Sequence, residues 1–418
     1  MGSLISRVVL GASIGVGLVS PAFAQDQQKN VSVKQRPKPE FAPNGVPMGA
    51  FRAYPTLDIS AQYDSNTFIT ETNELEDFVA TIAPAINIQS NWSNHSLSTN
   101  IGGLFNQYAE ETDLNTNTFY ANSNGQLDID SGLYFTGGAG YRDSAESLAN
   151  APLPNLAEPI KTNSTDVNIG FVKGINRVQL AGRASWARNE YGDAVTKNGT
   201  EVSQSARDND ITNLEFRTEY EISPDTSFFV NLKGNGRAYP SVNETIGDLN
   251  RDSQGYEVLL GSKFDISNLM RGEIGIGYLN QDYDAVAGGN ASGLAFNAGV
   301  EWFADQLITV NFDASRGIQD AAVSNAFGYL ASNIGVSVDY EFRRNIIISA
   351  GTDYALDDYQ DLDRQDSRWG VTFGSEYLLN KNVALFTDIS RRSQSSDGLN
   401  RGKDFDINQV SFGLRLRR

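Results

Sequence analysis

"IGVSVDYEF", residues 334–342, alternates without a break: Ile334, Val336, Val338, Tyr340 and Phe342 hold one parity, and Gly335, Ser337, Asp339 and Glu341 the other. Successive side chains of a strand point to opposite faces, so a period of two gives one apolar and one wet face. Two architectures use such a strand. In a soluble sandwich the apolar face packs on a second sheet, whereas in a transmembrane barrel it meets lipid and the polar face lines an aqueous lumen.

Flanking sequence decides between them. The same parity recurs in Val178, Leu180, Ala184 and Trp186, in Phe228, Val230 and Leu232, in Leu294, Phe296, Val300 and Trp302, and in Val410, Phe412, Leu414 and Leu416. Very short turns such as "DSG" (130–132), "SPD" (223–225), "RRN" (343–345) and "NKN" (380–382) alternate with long polar connections such as "GDAVTKNGTEVSQSAR" and "SSDGLNRGKD". Regular short-long alternation marks an all-β, up-and-down antiparallel transmembrane barrel with turns on one side and loops on the other. The count is about 18 strands, in the range 16–18, because single-chain bacterial barrels have even numbers. Ten to twelve residues at about 3.3 Å each, tilted about 40°, rise about 25–30 Å, the apolar height of an outer membrane. Ile334, Val336 and Val338 are therefore expected to face lipid, and Asp339 and Glu341 the lumen.

Composition agrees. The chain has 418 residues, 40% of them hydrophobic, and a mean hydropathy of −0.36. The body lacks any run of eighteen apolar residues, which excludes helical spans but not strands. "MGSLISRVVLGASIGVGLVSPAFAQ" carries Arg7, an apolar stretch and Ala22-Phe23-Ala24, and so reads as a secretory signal cleaved after Ala24. The expected layout is a signal at 1–24, a Pro-rich periplasmic arm at 25–50, read as an extended linker too short for a plug, and a barrel at 51–418, in the bacterial outer membrane. The formal net charge of −18 argues against a nucleic-acid partner. Cysteine is absent and His95 is the single histidine, so metal sites built from several such ligands are excluded and no cofactor is expected.

The entry "PNGVPMGAFRAYPTLDISAQYDSNTF" followed by "EDFVATIAPAINIQSNWSNHSLS" resembles the putative β-barrel porin 2 family of Gram-negative outer-membrane proteins. The matching features are Gly45, Gly49, Phe51, Tyr54 and Pro55, the Tyr63-Asp64-x-Asn66 step, Pro84, and Trp92 with His95. These motifs span about fifty residues, and the strand pattern extends the likeness along the mature chain. The resemblance implies a barrel and, by association with exopolysaccharide loci, polysaccharide and periplasmic export proteins as partners.

Candidate site residues lie on the inward parity. Arg183, Arg217, Lys233, Arg237 and Lys263 form a basic set, and Glu215, Glu257, Glu273, Glu301, Asp339, Glu341, Asp353 and Glu376 an acidic one. Arranged as opposite walls they would set a transverse field; paired with one another they would only keep the lumen wet. Tyr63, Tyr108, Tyr141, Tyr191, Tyr239, Tyr283 and Tyr359 fall near long loops, where an aromatic girdle is expected, although only some, such as Tyr63 and Tyr141, have clean outward parity. His95 falls in a short turn and is read as a turn residue, the acidic runs at 71–77 and 357–366 as solvated loops, and Gly137, Gly138 and Gly140 as strand glycines.

The expected function is a non-enzymatic barrel that conducts or helps export polar material such as surface exopolysaccharide. A general diffusion porin is the alternative, with "SAESLANAPLPNLAEPIK" (144–161) folding inward as a constriction. A closed structural or adhesive barrel is the third reading. Lipid and lipopolysaccharide are the expected surroundings, and the oligomeric state stays open.

Overall fold

The computed structural model describes residues 30–148, 156–241, 250–284, 289–323 and 326–418. The signal and its cleavage point at Ala24 lie outside these residues. Eighteen long strands follow one another: β1 (Phe51–Asp64), β2 (Asp77–Ser90), β3 (Ser96–Tyr108), β4 (Thr116–Asp130), β5 (Leu133–Ala145), β6 (Lys161–Ile175), β7 (Val178–Tyr191), β8 (Asn209–Ser223) and β9 (Thr226–Ala238) form the first half. The second half comprises β10 (Ser253–Ile266), β11 (Met270–Tyr283), β12 (Asn290–Asp305), β13 (Ile308–Asp320), β14 (Gly328–Arg343), β15 (Ile346–Tyr359), β16 (Gln365–Leu378), β17 (Val383–Asp397) and β18 (Phe405–Arg417).

Each strand pairs antiparallel with its neighbours in sequence, and β18 returns to β1 from Thr56↔Arg417 to Asp64↔Gln409, closing the barrel. Closure leaves neither terminal strand with a free edge, which lipid could not hydrogen-bond. The hydrophobic pattern is inside out. Ile334 is 45% and Phe342 51% exposed, whereas Asp339 and Glu341 are each 4% exposed. With one face outward around a closed ring, the other parity is the inner wall, and this fixes register because a slip of one residue would exchange the faces.

Turns are made by residues that tolerate a left-handed backbone: Asn176 (φ 54°) joins β6 to β7, and Ser267 and Asn268 (φ 54° and 57°) join β10 to β11. His95 (φ 62°) occupies the β2–β3 turn, where its N–H donates to the Asp128 carboxylate at 2.8 Å and its Nδ1 accepts from the Asp128 N–H at 3.0 Å. The strands run 13 to 16 residues, longer than the ten to twelve a membrane requires. At about 3.3 Å per residue and about 40° tilt they rise about 33–41 Å, so they outrun an apolar band of about 25 Å. The excess carries the inward packing at the loop-side mouth.

Candidate functional site: the lumen and its two mouths

The midsection of the inner wall carries four of the predicted charges, and register shows how they are ordered. Arg183 lies opposite Glu215, Glu215 opposite Lys233, and Lys233 opposite Glu257, so sign alternates across β7 to β10. One step nearer the turns, Arg217 donates to Glu273 at 3.0 Å and Glu219 at 3.3 Å, while Lys263 sits 3.8 Å from Glu219. The basic and acidic residues here are cross-strand neighbours rather than opposite walls. Local pairing of this kind cancels much of the field that separated walls would set up. Arg217 also stacks 3.8 Å over the ring of Phe229. That ring lies flat against the wall because Gly261 and Gly275 leave room beneath it; a Cβ at Gly261 would come within 2.3 Å of Phe229 Cζ.

The remaining predicted residues are distributed. Arg271 donates to Glu301 at 2.7 Å. Glu376 accepts from Arg415 at 3.2 Å, and Arg415 also grips Asp58 with two bonds of 2.8 and 2.7 Å across the β1–β18 seam. Asp353 lies between Gly335 and Gly370 in register.

A neutral row crosses the first half of the barrel and shares β7 to β9 with the alternating charges. Following hydrogen-bond register, Gln89, Ser98, Asn124, Gly138, Asn168, Ser185, Asn213 and Asn235 form one continuous row from β2 to β9. All but the glycine are neutral amides or hydroxyls. At Gly138 the Asn124 and Asn168 amides close in, since a Cβ there would meet Asn124 Oδ1 at 2.6 Å and Asn168 Nδ2 at 2.7 Å.

The loop-side mouth is narrowed twice. The β12–β13 ladder stops at Phe296↔Arg316, although β12 starts at Asn290 and β13 runs to Asp320. Beyond that point the β13–β14 tip turns inward: Ile318 and Leu330, on the lipid parity, are buried and cluster with Leu279, Ala291 and Ala295 of the inner face. Asp320 on this tip pairs with Arg237 and accepts from the Tyr239 hydroxyl. It also accepts from the Tyr283 hydroxyl at 3.4 Å. Arg237 donates to the Ile318 carbonyl at 3.1 Å, and Arg251 to the Val323 carbonyl at 2.8 Å. Burial, reinforced by the Asp320 charge, pushes the Tyr239 phenol well above its ordinary range, so it stays a donor.

The second narrowing gathers four loops. Ile69, Leu114, Leu148, Leu156, Ile160 and Ala194 pack on Phe405 and Ile407 of the β18 inner face. The 144–161 loop contributes through its flanks, with Lys403 donating to the Leu148 carbonyl at 3.0 Å and Glu146 N–H to the Ile160 carbonyl at 2.7 Å. Residues 149–155 lie outside the described residues.

At the turn-side mouth, residues 30–48 line the inner rim. Rather than running extended, the segment turns tightly, with Gln35 and Arg36 N–H both bonded to the Ser32 carbonyl and Phe41 N–H to that of Lys38. It reaches from the β10–β11 turn, where Asn30 donates to Asn268, to Val46–Met48, which pairs onto Phe51–Ala53. Val33 is fully buried, its N–H bonded to Thr309 Oγ1 at 3.1 Å. Lys34 lies 2.7 Å from Asp339, Arg36 2.9 Å and Lys38 4.0 Å from Glu341, and Arg344 2.7 Å from Glu40. Burial holds the Lys38 ammonium below its usual pKa range, against the pull of Glu341.

Of the tyrosines, Tyr63 and Tyr141 are on the outward parity, Tyr63 donating to Glu76. Tyr239 and Tyr283 are 5% exposed within the loop-side packing, and Tyr108 packs against the loop cluster. Tyr191 and Tyr359 also lie on the inward parity, opposite Thr162 and Tyr329. A girdle therefore does not explain these five. The acidic runs are also more than solvated loops. Asp77 accepts from Glu111 N–H at 2.9 Å and Glu110 N–H at 3.1 Å, organising the β3–β4 loop. Asp357 binds Arg368, and Asp366 binds Arg364, each at 2.6 Å.

Among solved structures, the chain is similar to the outer membrane protein opdK from Pseudomonas aeruginosa, with 12% identity over 88% of this chain and 99% of that one and a TM-score of 0.44. It is also similar to OccAB3 of Acinetobacter baumannii (10% identity, 89% and 100% covered, TM-score 0.45) and to the FrpB iron transporter of Neisseria meningitidis (7%, 90% and 82%, 0.47). No curated protein matches. A family model described as putative beta-barrel porin 2 matches residues 38–418, which covers every barrel strand and the inner strap from Lys38 onward. This membership implies the Gram-negative outer membrane and a porin-like channel. The chain belongs to the putative beta-barrel porin 2 family.

Proposed function

We propose that this barrel is a non-enzymatic channel passing small hydrophilic solutes, with its size limit set at the loop-side mouth. The observation that carries the reading is the inward turn of the β13–β14 tip, anchored by Asp320 on Arg237, beside the loop cluster on Phe405 and Ile407. A polar, hydrated wall with inward-folded loops suits diffusion of small solutes better than free passage of a wide polymer.

Export of exopolysaccharide is the second reading, and the neutral row from Gln89 to Asn235 favours it. Amides and hydroxyls donate and accept together, as sugar hydroxyls do, and they offer no charge that a neutral chain must displace. Polysaccharide and periplasmic export proteins are partners under this reading only. Swelling of liposomes carrying the purified barrel, in neutral sugars of increasing length, separates the two. Entry that falls away after a few sugar units supports the diffusion channel; passage independent of length contradicts it and favours export.

A further inference from the structure

The two most enclosed predicted carboxylates, Asp339 and Glu341, are covered by the Pro-rich arm, whose composition reads as an extended linker. Three cations from one short stretch, Lys34, Arg36 and Lys38, converge on them. The contact is built rather than incidental. Val33 anchors it at zero exposure, the Arg36 guanidinium also reaches the Gln306 carbonyl of the β12–β13 turn, and Arg417 Nη2 donates to the Phe41 carbonyl at 3.1 Å. Ser349 completes the seat by donating to Asp339 at 2.7 Å. The segment touches the β10–β11, β12–β13, β14–β15 and β16–β17 turns, through Asn268, Gln306, Arg344 and Lys381.

We propose that residues 30–48 are a selectivity strap: a basic insert that neutralises Asp339 and Glu341 at the turn-side mouth and so sets which sign of ion enters. The proposal rests on the channel reading above. With the strap seated, Asp339 and Glu341 have no uncompensated charge to present. With its cations removed, Asp339 is left with the Ser349 hydroxyl and Glu341 with Arg344 at 3.8 Å, so net negative charge remains at the entrance, where a low-dielectric rim and restricted water make fixed charge effective in selecting ions.

The test uses the full barrel in planar bilayers under a KCl gradient. One variant is Lys34→Gln/Arg36→Gln/Lys38→Gln, a second is Asp339→Asn/Glu341→Gln, and a third combines all five; heat-modifiable migration verifies folding of each. The strap variant is expected to raise the K⁺/Cl⁻ permeability ratio by roughly three- to ten-fold, since it removes three positive charges from beside Asp339 and Glu341. The wall variant is expected to lower the ratio, and the combined variant to return it near the starting value. An unchanged reversal potential in a conducting, folded strap variant overturns the strap proposal alone. Silence from every folded form overturns the channel reading, and the strap proposal with it.

Discussion

Replacing Asp320 by alanine should release the tip of the β13–β14 hairpin. Asp320 holds Arg237 and accepts from Tyr239 and Tyr283, and the Arg237 and Asp320 side chains are only 12% and 17% exposed. Removing one partner of a buried pair costs about 3–5 kcal/mol; with some water at this mouth about 2–3 kcal/mol is appropriate, a roughly 30- to 150-fold shift in the seating equilibrium. Apolar contacts of Ile318, Phe327 and Leu330 remain and oppose release. The expected phenotype is therefore a larger and noisier single-channel conductance, with faster protease nicking between β13 and β14, in a barrel that still folds. Asp320→Asn keeps an acceptor and should fall between the two. If Asp320→Ala leaves conductance, noise and nicking unchanged, the tip is not held by this cluster and the proposed constriction fails.

Val336→Arg places a charge on the lipid face and should destabilise the folded barrel by about 2–4 kcal/mol near mid-membrane, while Ser337→Arg, one residue on, should be tolerated; urea unfolding in vesicles compares them. Ile160→Ala removes a fully buried anchor of the 144–161 loop and should cost that loop about 2–4 kcal/mol of packing, seen as raised conductance and loop proteolysis without loss of the barrel. Glu215→Gln removes the negative member between Arg183 and Lys233 and should move the reversal potential toward anions; no movement would mean the alternating ladder is not in the ion path. Asn124→Asp/Asn168→Asp should slow entry of anionic solutes while leaving neutral sugars nearly unaffected in liposome swelling.

Barrel class, strand number and facing were legible because each depends on a local pattern. "IGVSVDYEF" states its two faces, and turns such as "SPD" (223–225) and "NKN" (380–382) state where strands reverse. The pairing of charges was not legible, since it depends on register between strands. Glu215 lies between Arg183 and Lys233 in register only because β7, β8 and β9 align as they do. Asp58 and Arg415 lie at opposite ends of the sequence and meet only through closure. Asp320 was hidden within a connection that read as a simple polar loop. In the arm, the prolines point to stiffness, while the basic run Lys34, Arg36 and Lys38 in an acidic chain is the signal that this segment needs a carboxylate partner.

The first measurement to make is single-channel conductance of the purified, folded barrel in a planar bilayer, without added partner. Steady ion current, lowered by neutral polymers small enough to enter the loop-side mouth and not by those too large to enter, is the expected result. Persistent silence from a barrel that migrates as a folded, heat-modifiable species would contradict an open aqueous lumen and leave a closed structural barrel in its place.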